Sequence, residues 1–287
     1  MTDERPVNAL SFDIEDWFHL VDIPAVSDPA SWPGLPSLVV PYTDRILEAL
    51  SASETKATFF VLGWVAERYP EIPRRIAAAG HELGSHSFWH RRVELLTPAE
   101  FREDVRRSVG AIEQAAGAKV LGFRAPSFSI RRGSEWAFDE LLDLGLVYDA
   151  SLFPAPRGHG GYDCPRRPHV FTATPSGRPI PELPMSVMRF GPLRLPFSGG
   201  GYLRLLPPTL IRLGFRRTNA EGLPVVVYMH PRDFAPEGPI APMSLYRRFK
   251  CRVGLKTSMS KLKMLLREYR FTTCAALLGV PTSEASR

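Results

Sequence analysis

Cysteine is scarce in this 287-residue chain. Cys164, Cys251 and Cys274 are widely spaced and include no Cys-x-x-Cys pair, which is typical of a reducing compartment and argues against a thiolate zinc site. No apolar run is long enough to cross a bilayer, and residues 1–6 lack the basic and apolar segments of a signal peptide. We therefore expect a cytoplasmic protein without a transmembrane segment.

Acidic residues are few near the C-terminal end, where most of the net charge of +6 arises. The bases there are Arg247, Arg248, Lys250, Arg252, Lys256, Lys261, Lys263, Arg267 and Arg270. We favour a solvated helix face; the alternative is a patch that attracts anionic glycans or a lipid surface, with peripheral association at the inner membrane face. Aromatic residues do not alternate with these bases as in nucleic-acid-binding motifs, so no nucleic-acid partner is expected.

Short β-rich runs alternate with helical patterns, and no internal repeat or domain linker interrupts them. We predict strands at residues 7–13, 57–62, 81–86, 120–124, 146–149 and 225–230, and helices at 41–50, 70–79, 97–115, 135–144 and 258–269. Thr97 and Glu100 form a capping box. This alternation predicts an α/β fold in which six or seven units form a barrel of parallel strands with helices outside.

The region from 154 to 196 breaks this rhythm, because it is rich in Pro, Gly and Arg. Long loops with a few short strands, such as 180–184, are expected there. The run Ser198-Gly-Gly-Gly201 is interpreted as a flexible turn, since it lacks the strand and the Lys-Ser/Thr of a phosphate-binding loop. Residues 282–287 are interpreted as a frayed tail. We expect one domain over 1–287, with a motif core at about 7–234 and a basic helical extension at 243–280.

Polar residues gather at the predicted carboxyl ends of the strands, where parallel α/β folds carry their sites. His86 and His90, spaced i, i+4 on a predicted helical turn, can face one metal ion, although a chance pair is equally compatible. The third, anionic ligand would come from the acids after the first strand. Asp13 and Glu15 share a face of an extended strand, so one can bind metal while the other acts as base, and Asp16 is the rival ligand.

Three further residues at the same predicted strand ends are candidates for proton transfer or for supporting it. Arg124 can pair with Asp13 and hold it ionised, although an ordinary surface arginine would fit as well. His230 emerges after an apolar strand and can act as general acid, with Asp149 expected to raise its pKa. A lone histidine there would more often be a core residue; its neighbours make it a candidate.

Taken together, these motifs resemble carbohydrate esterase family 4, the polysaccharide deacetylases of the NodB-homology group. Phe12-Asp13-Ile14-Glu15-Asp16 is similar to the family's first motif, a base beside a metal-binding acid, and His86-Ser-Phe-Trp-His90 to its metal-binding histidine motif. Arg124-Ala-Pro126, Asp149-Ala-Ser151 and His230-Pro231 resemble the other three. Residues 13–19 and 195–204 are also similar to a bacterial subgroup found with exopolysaccharide export systems.

The resemblance implies a distorted barrel of about seven strands and a metal-assisted hydrolysis of an N-acetylated amino sugar. Zinc is the expected metal, with cobalt, nickel or iron also compatible with two histidines and a carboxylate. Asp13 would act as base, Arg124 would orient it, and His230 would protonate the departing amine. The family has adjacent aspartates where this chain has Asp13 and Ile14; Glu15 is favoured as the acidic ligand and Asp16 is the second choice.

Two other functions fit part of the pattern. An allantoinase-like amidohydrolase, acting on a small cyclic amide, resembles the same barrel and motifs. A glycan-binding module could keep the barrel without the chemistry, although binding alone needs no matched acid and base. The sequence leaves open the sugar and its linkage, whether the substrate is polymeric or lipid-linked, and the oligomeric state.

Overall fold

The computed structural model describes residues 5–156 and 158–281. Within these residues, nine strands form one sheet and two form a separate hairpin. The strands of the main sheet are β1 (Val7–Ile14), β2 (Thr58–Val61), β3 (Glu82–Ser85), β4 (Gly122–Phe123), β5 (Tyr148–Asp149), β6 (His169–Phe171), β7 (Ile180–Glu182), β10 (Val226–Met229) and β11 (Arg270–Thr272). The hairpin consists of β8 (Val187–Phe190) and β9 (Leu193–Pro196).

Seven parallel strands run side by side in the order β10-β1-β2-β3-β4-β5-β7. β6 is antiparallel to β7 at one end, and β11 pairs in parallel with the first residues of β1. The sheet is curled into a half-barrel. The prediction of an α/β fold with about seven parallel strands is confirmed, but β10 and β6 do not pair within the described residues, so the barrel stays open.

The strands are covered on both faces, which explains their nearly continuous apolar sequences. All residues of β1 after Val7 are buried, and so is every residue of β2 and β3. Two glycines make space on the concave side. A Cβ atom at Gly84 would collide with the ring of Phe60, and one at Gly122 with the ring of Tyr148. The absence of these side chains lets the two aromatic rings fill the interior beneath the site.

Ten α-helices connect and cover the strands of the described chain. They are α1 (Val39–Ser51), α2 (Gly63–Arg68), α3 (Glu71–Ala78), α4 (Pro98–Ala116), α5 (Trp136–Asp143), α6 (Gly200–Leu205), α7 (Pro208–Ala220), α8 (Leu245–Arg252), α9 (Leu255–Glu268) and α10 (Cys274–Leu278). The capping box of α4 is formed as predicted: the Thr97 hydroxyl accepts from the Glu100 amide, and the Glu100 carboxylate accepts from the Thr97 amide. α4 ends at Gly117, which adopts a left-handed conformation.

The glycine run at 198–201 differs from the prediction of a flexible turn. Gly199 is the N-cap of α6, and Gly200 is the first residue of that helix with a positive φ of 52°. Gly199 also forms a parallel bridge with Tyr228 of β10. Side chains at both positions would collide with the Tyr228 ring, so the glycines allow close approach to the sheet.

The C-terminal segment is part of the same sheet. Helix α9 buries Leu262, Met264 and Leu265, and β11 follows it directly. Because β11 pairs with β1, the segment that the sequence predicts as a helical extension also adds a strand beside the first residues of β1. The predicted tail, 282–287, lies outside the described residues. Among residues 5–156 and 158–281, no helix combines the length and apolar character needed to span a bilayer.

Candidate active site

The carboxyl ends of four strands on one side of the sheet bring the predicted site residues together. Asp13 lies in β1 with Glu15 just beyond it, His86 follows β3, Arg124 follows β4, and His230 follows β10. β1 lies beside β10, and β2 separates it from β3, so these ends share one edge of the sheet. All five side chains are buried. The position is the one at which parallel α/β folds carry catalytic groups.

The two histidines lie in an irregular loop, so the prediction of a helical turn is wrong. Ser87 and His90 both have positive φ angles, 65° and 55°. The loop is held by Asp104 of α4, whose carboxylate accepts hydrogen bonds from the amides of Phe88 (2.5 Å) and Trp89 (3.3 Å). Non-glycine residues with positive φ persist where the surrounding structure fixes them, and such strain is frequent at functional sites.

Glu15, His86 and His90 form a candidate metal-binding group, with one ligand atom from each lying within 4.8 Å of the others. His86 Nδ1 donates to the Arg124 carbonyl oxygen at 2.8 Å, which leaves Nε2 with the lone pair that a metal requires. His90 Nε2 lies 2.5 Å from Glu15 Oε2, but this contact lacks hydrogen-bond geometry, so the buried oxygen accepts no hydrogen bond. Two histidines and one carboxylate with an unsatisfied oxygen fit a divalent transition metal.

The protonation states of this group suit a metal ligand set. Burial lowers the pKa of His86 to about 4, so its imidazole is neutral at physiological pH. Burial alone would raise the pKa of Glu15, but Arg232 and His90 outweigh it and hold that pKa well below its usual value. Arg232 donates from Nη1 to Glu15 Oε1. The ionised carboxylate and neutral imidazole are the forms that bind metal.

Asp16, the second choice for the acidic ligand, is not brought to this group. Its carboxylate accepts from the Ser37 hydroxyl at 2.5 Å and from the amides of Leu38 (2.9 Å) and Val39 (3.2 Å). The Leu38 and Val39 amides lie at the start of α1, where the N-cap residue Leu38 has no side-chain acceptor of its own. Asp16 therefore caps a helix from a distant part of the sequence.

Asp13 and Arg124 form a buried ion pair, as the sequence predicts. Arg124 Nη1 donates to Asp13 Oδ1 and to the Ser11 hydroxyl, both at 2.8 Å, and its Nε donates to the Ala150 carbonyl at 3.2 Å. The guanidinium lies 4.2 Å from the centre of the Phe60 ring. Asp13 Oδ1 is thus committed to Arg124, and Oδ2 faces His230 Nε2 at 3.9 Å.

The carboxylate beside His230 is Asp233, and the prediction that Asp149 accompanies this histidine is wrong. His230 Nδ1 donates to Asp233 Oδ2 at 2.9 Å, because a 3-10 turn over Pro231–Phe234 folds the third residue back to the ring. Burial opposes ionisation of Asp233, but Arg204 and His230 hold its pKa below its usual range. Arg204 Nε lies 3.1 Å from Asp233 Oδ1. Asp233 was not predicted from the sequence, although its i, i+3 spacing from His230 was a signal that could have indicated this pair.

Asp149 instead supports the chain next to Arg124. Its carboxylate accepts from the Ser151 amide (2.8 Å) and hydroxyl (2.7 Å), and it is paired in the sheet with Glu182. Burial, and then the neighbouring Asp149, raise the pKa of Glu182 well above its usual value. Burial beside the Asp149 carboxyl group therefore favours the protonated form of Glu182. This pair fixes residues 149–151, and Ala150 in turn receives the Arg124 hydrogen bond.

A cavity of about 70 Å³ is lined by residues that include Trp17, Arg204 and Arg232 together with Cys251 and Arg252 of α8; of these, Arg232 donates to Glu15. A larger cavity, of about 530 Å³, is lined by residues 162–165 and 169–173 together with Arg132 and Glu135. None of the predicted catalytic or metal-binding residues lines the larger cavity, so its size alone carries no functional argument.

Two family models match the chain. Residues 28–142 match the model described as polysaccharide deacetylase, and residues 150–279 match one described as a domain of unknown function, DUF3473. A peptidoglycan-N-acetylglucosamine deacetylase from Bacillus cereus is 32% identical over 100 residues, which are 34% of this chain and 36% of that protein. The matched part thus spans about a third of that relative's length.

Solved structures share the fold over nearly the whole chain. A Mycobacterium smegmatis protein assigned to the polysaccharide deacetylases superimposes with a TM-score of 0.60 at 24% identity, over 93% of this chain and 92% of that chain. A carbohydrate esterase family 4 pseudoenzyme from Bacillus anthracis gives a TM-score of 0.51 at 18% identity, over 96% and 66% of the two chains. Because a pseudoenzyme has this fold too, activity must be argued from the site residues.

Proposed function

Because residues 28–142 match the polysaccharide deacetylase model, we propose that the chain is a carbohydrate esterase family 4 enzyme, a metal-dependent hydrolase that removes the acetyl group from an N-acetylated amino sugar. One observation carries this proposal. A candidate ligand group, Glu15 with His86 and His90, lies beside the Asp13 carboxylate, which is paired with Arg124, and beside a histidine paired with Asp233. Such an arrangement supplies a metal site, a base and an acid at one place.

A divalent metal held by Glu15, His86 and His90 would supply Lewis acidity for attack on the acetyl carbonyl. We propose zinc, because it suits two imidazoles and one carboxylate; cobalt, nickel and iron tolerate the same ligands. The unsatisfied Glu15 Oε2 and the free Nε2 of His86 support this assignment.

Asp13 is the proposed base. Its Oδ1 is occupied by Arg124, so Oδ2 is the oxygen that accepts a proton from the attacking water. Arg124 is fully buried and cannot exchange this partner for solvent, which keeps the Asp13 carboxylate fixed in direction.

His230 is the proposed acid. Its Nδ1 donates to Asp233, so Nε2 points toward Asp13 and Glu15. The negative charge of Asp233 stabilises the doubly protonated ring, which then gives its Nε2 proton to the sugar nitrogen as the C–N bond breaks. Water adds to the acetyl carbon, and the products are acetate and the free amine.

The substrate within this class is also part of the proposal. We propose an amino sugar of a polysaccharide or of its cytoplasmic precursor, in exopolysaccharide biosynthesis. The Bacillus cereus relative is named for N-acetylglucosamine in peptidoglycan, which supports the acetylated amino sugar. The allantoinase-like function and the inactive glycan-binding module remain the alternatives that the experiment must exclude.

The test is acetate release from N-acetylglucosamine oligomers by the metal-loaded chain, with Asp13→Asn and His86→Ala beside it. His169→Ala is the matched control, because His169 is far along the sheet in β6 and its Nδ1 contacts only the Arg167 carbonyl among the described bonds. We expect turnover by the parent and the control and its loss in both site variants. Turnover of allantoin in place of the oligomers would support the amidohydrolase. No turnover of either substrate by a metal-loaded parent would refute the proposal.

A further inference from the structure

Helix α8 presents apolar side chains to solvent although it is anchored to the protein. Leu245 is 83% exposed, Tyr246 71% and Phe249 56%. No residue of this helix is buried. At 100° per residue, the three side chains fall within one third of the helix circumference. They therefore form a continuous apolar strip, here called the α8 strip, of the kind that monomeric proteins usually keep covered.

Basic residues lie on both sides of the α8 strip. Arg248 and Arg252 flank one side of it in the helical projection and Lys250 flanks the other, and all three are exposed. No acidic residue occurs anywhere from 238 to 267, a stretch that also contains Lys256, Lys263 and Arg267. An apolar face bordered by bases, without any nearby acid, is the pattern of helices that lie in the headgroup region of a membrane.

The orientation of α8 is fixed by hydrogen bonds on its inner side. Arg247 donates to the carbonyl oxygens of Val21 (3.2 Å) and Asp22 (2.9 Å). Buried Arg204 donates to the carbonyls of Lys250 (3.0 Å) and Cys251 (2.7 Å) at the helix end. The Ser244 hydroxyl accepts from the Arg247 amide at the helix start. The α8 strip is thus held outward by the folded protein.

We propose that the α8 strip is a docking surface for an anionic lipid bilayer, with Leu245, Tyr246 and Phe249 inserting among the headgroups and Arg248 and Lys250 contacting lipid phosphates. A second copy of the chain fits less well, because two such strips would bring like charges together without an acid to pair them. An anionic glycan would pair with the bases but would leave the aliphatic side chain of Leu245 without a partner.

Docking in this orientation would bring the candidate active site close to the membrane. Cys251 and Arg252 of α8 line the same small cavity as Trp17 and Arg232, and Arg232 donates to Glu15. Lipid binding itself does not depend on the proposed deacetylase activity. The two proposals together place an amino sugar carried on a lipid within reach of the site.

The test is cosedimentation of the full chain, without substrate or metal, with vesicles of phosphatidylcholine or of an equimolar mixture with phosphatidylglycerol. We expect binding to the anionic vesicles that weakens with added salt. Arg248→Ser with Lys250→Ser should weaken it by on the order of thirtyfold. The triple variant Leu245→Ser, Tyr246→Ser and Phe249→Ser should weaken it by at least on the order of a hundredfold.

Two surface variants are the matched controls. Val170→Ser removes a similarly exposed apolar side chain from β6, at the opposite end of the sheet from β10, and Arg74→Ser removes an exposed base from α3; both should bind as the parent does. Vesicle binding that the triple variant retains would overturn the proposal. So would a concentration-dependent dimer lost in the triple variant, or binding to an acidic polysaccharide with none to vesicles.

Discussion

Glu15 and Asp16 are adjacent, but the structure gives Glu15 the position of a metal ligand and Asp16 that of a helix cap. Substituting each residue separately tests this difference. Glu15→Gln keeps the shape of the side chain but removes the charge that a metal requires. We expect metal affinity to fall by more than about a hundredfold, the upper end of what loss of a supporting residue costs. Asp16→Ala removes the acceptor for the Ser37 hydroxyl and the Leu38 and Val39 amides. Losing such a cap and leaving amides unpaired should cost about 2–4 kcal/mol of unfolding free energy.

The assay measures two quantities on each variant. Isothermal titration with zinc gives the stoichiometry and affinity, and urea denaturation of the metal-free protein gives the stability. The expected result is a separation: Glu15→Gln loses metal and keeps most of its stability, whereas Asp16→Ala loses stability and still binds one metal. The reasoning is refuted if a folded Asp16→Ala variant fails to bind metal while Glu15→Gln binds as the parent does.

Three further predictions address the acid, the fold and the buried carboxyl pair. Asp233→Asn should lower kcat by about a hundredfold or more with metal affinity unchanged, because an amide no longer stabilises the charged His230 ring; steady-state kinetics and a zinc titration decide this. Thr97→Ala should cost about 1 kcal/mol of stability in urea and leave kcat unaltered, since it removes only the α4 cap. Burial and Asp149 raise the pKa of Glu182 well above its ordinary value of 4.5 in the folded chain, so this group makes stability fall as pH rises from about that value toward the folded-state pKa. In Glu182→Gln this fall should disappear from urea denaturation measured at successive pH values; an unchanged slope would show that the pair with Asp149 is not protonated.

The strands were predictable because their apolar runs are bounded by polar residues and glycines. Residues 7–13 and 225–230 were expected as strands and are β1, Val7–Ile14, and β10, Val226–Met229. Helix α4 was predicted from its capping box, which is a purely local signal. The parallel sheet followed from the alternation of the elements. Its failure to close could not be predicted, because closure depends on the pairing of β6 and β10, which are distant in sequence.

The sequence predicted most of the residues that form the site, but it did not predict the hydrogen-bond partners that position them. Placing charged residues at strand ends requires only the fold, and the structure brings Asp13, His86, Arg124 and His230 to one edge. The conformation of the histidine loop depends on Asp104, which reaches it from α4. Equally, Asp16 caps a helix that begins more than twenty residues later in the chain. Such tertiary hydrogen bonds leave no periodic pattern in the sequence.

The arrangement of the site requires both halves of the chain. The candidate metal ligands and the base with its arginine come from β1, β3 and β4, all within the first 124 residues. The proposed acid and its carboxylate follow β10, and buried Arg204, which holds Asp233, comes from α6. β1 joins these groups, since it pairs with β2 on the side of the histidines and with β10 on the side of His230. A chain ending before β10 would lose the proposed acid and also Arg232, which donates to the candidate metal ligand Glu15, so metal binding and turnover both depend on the second half of the chain.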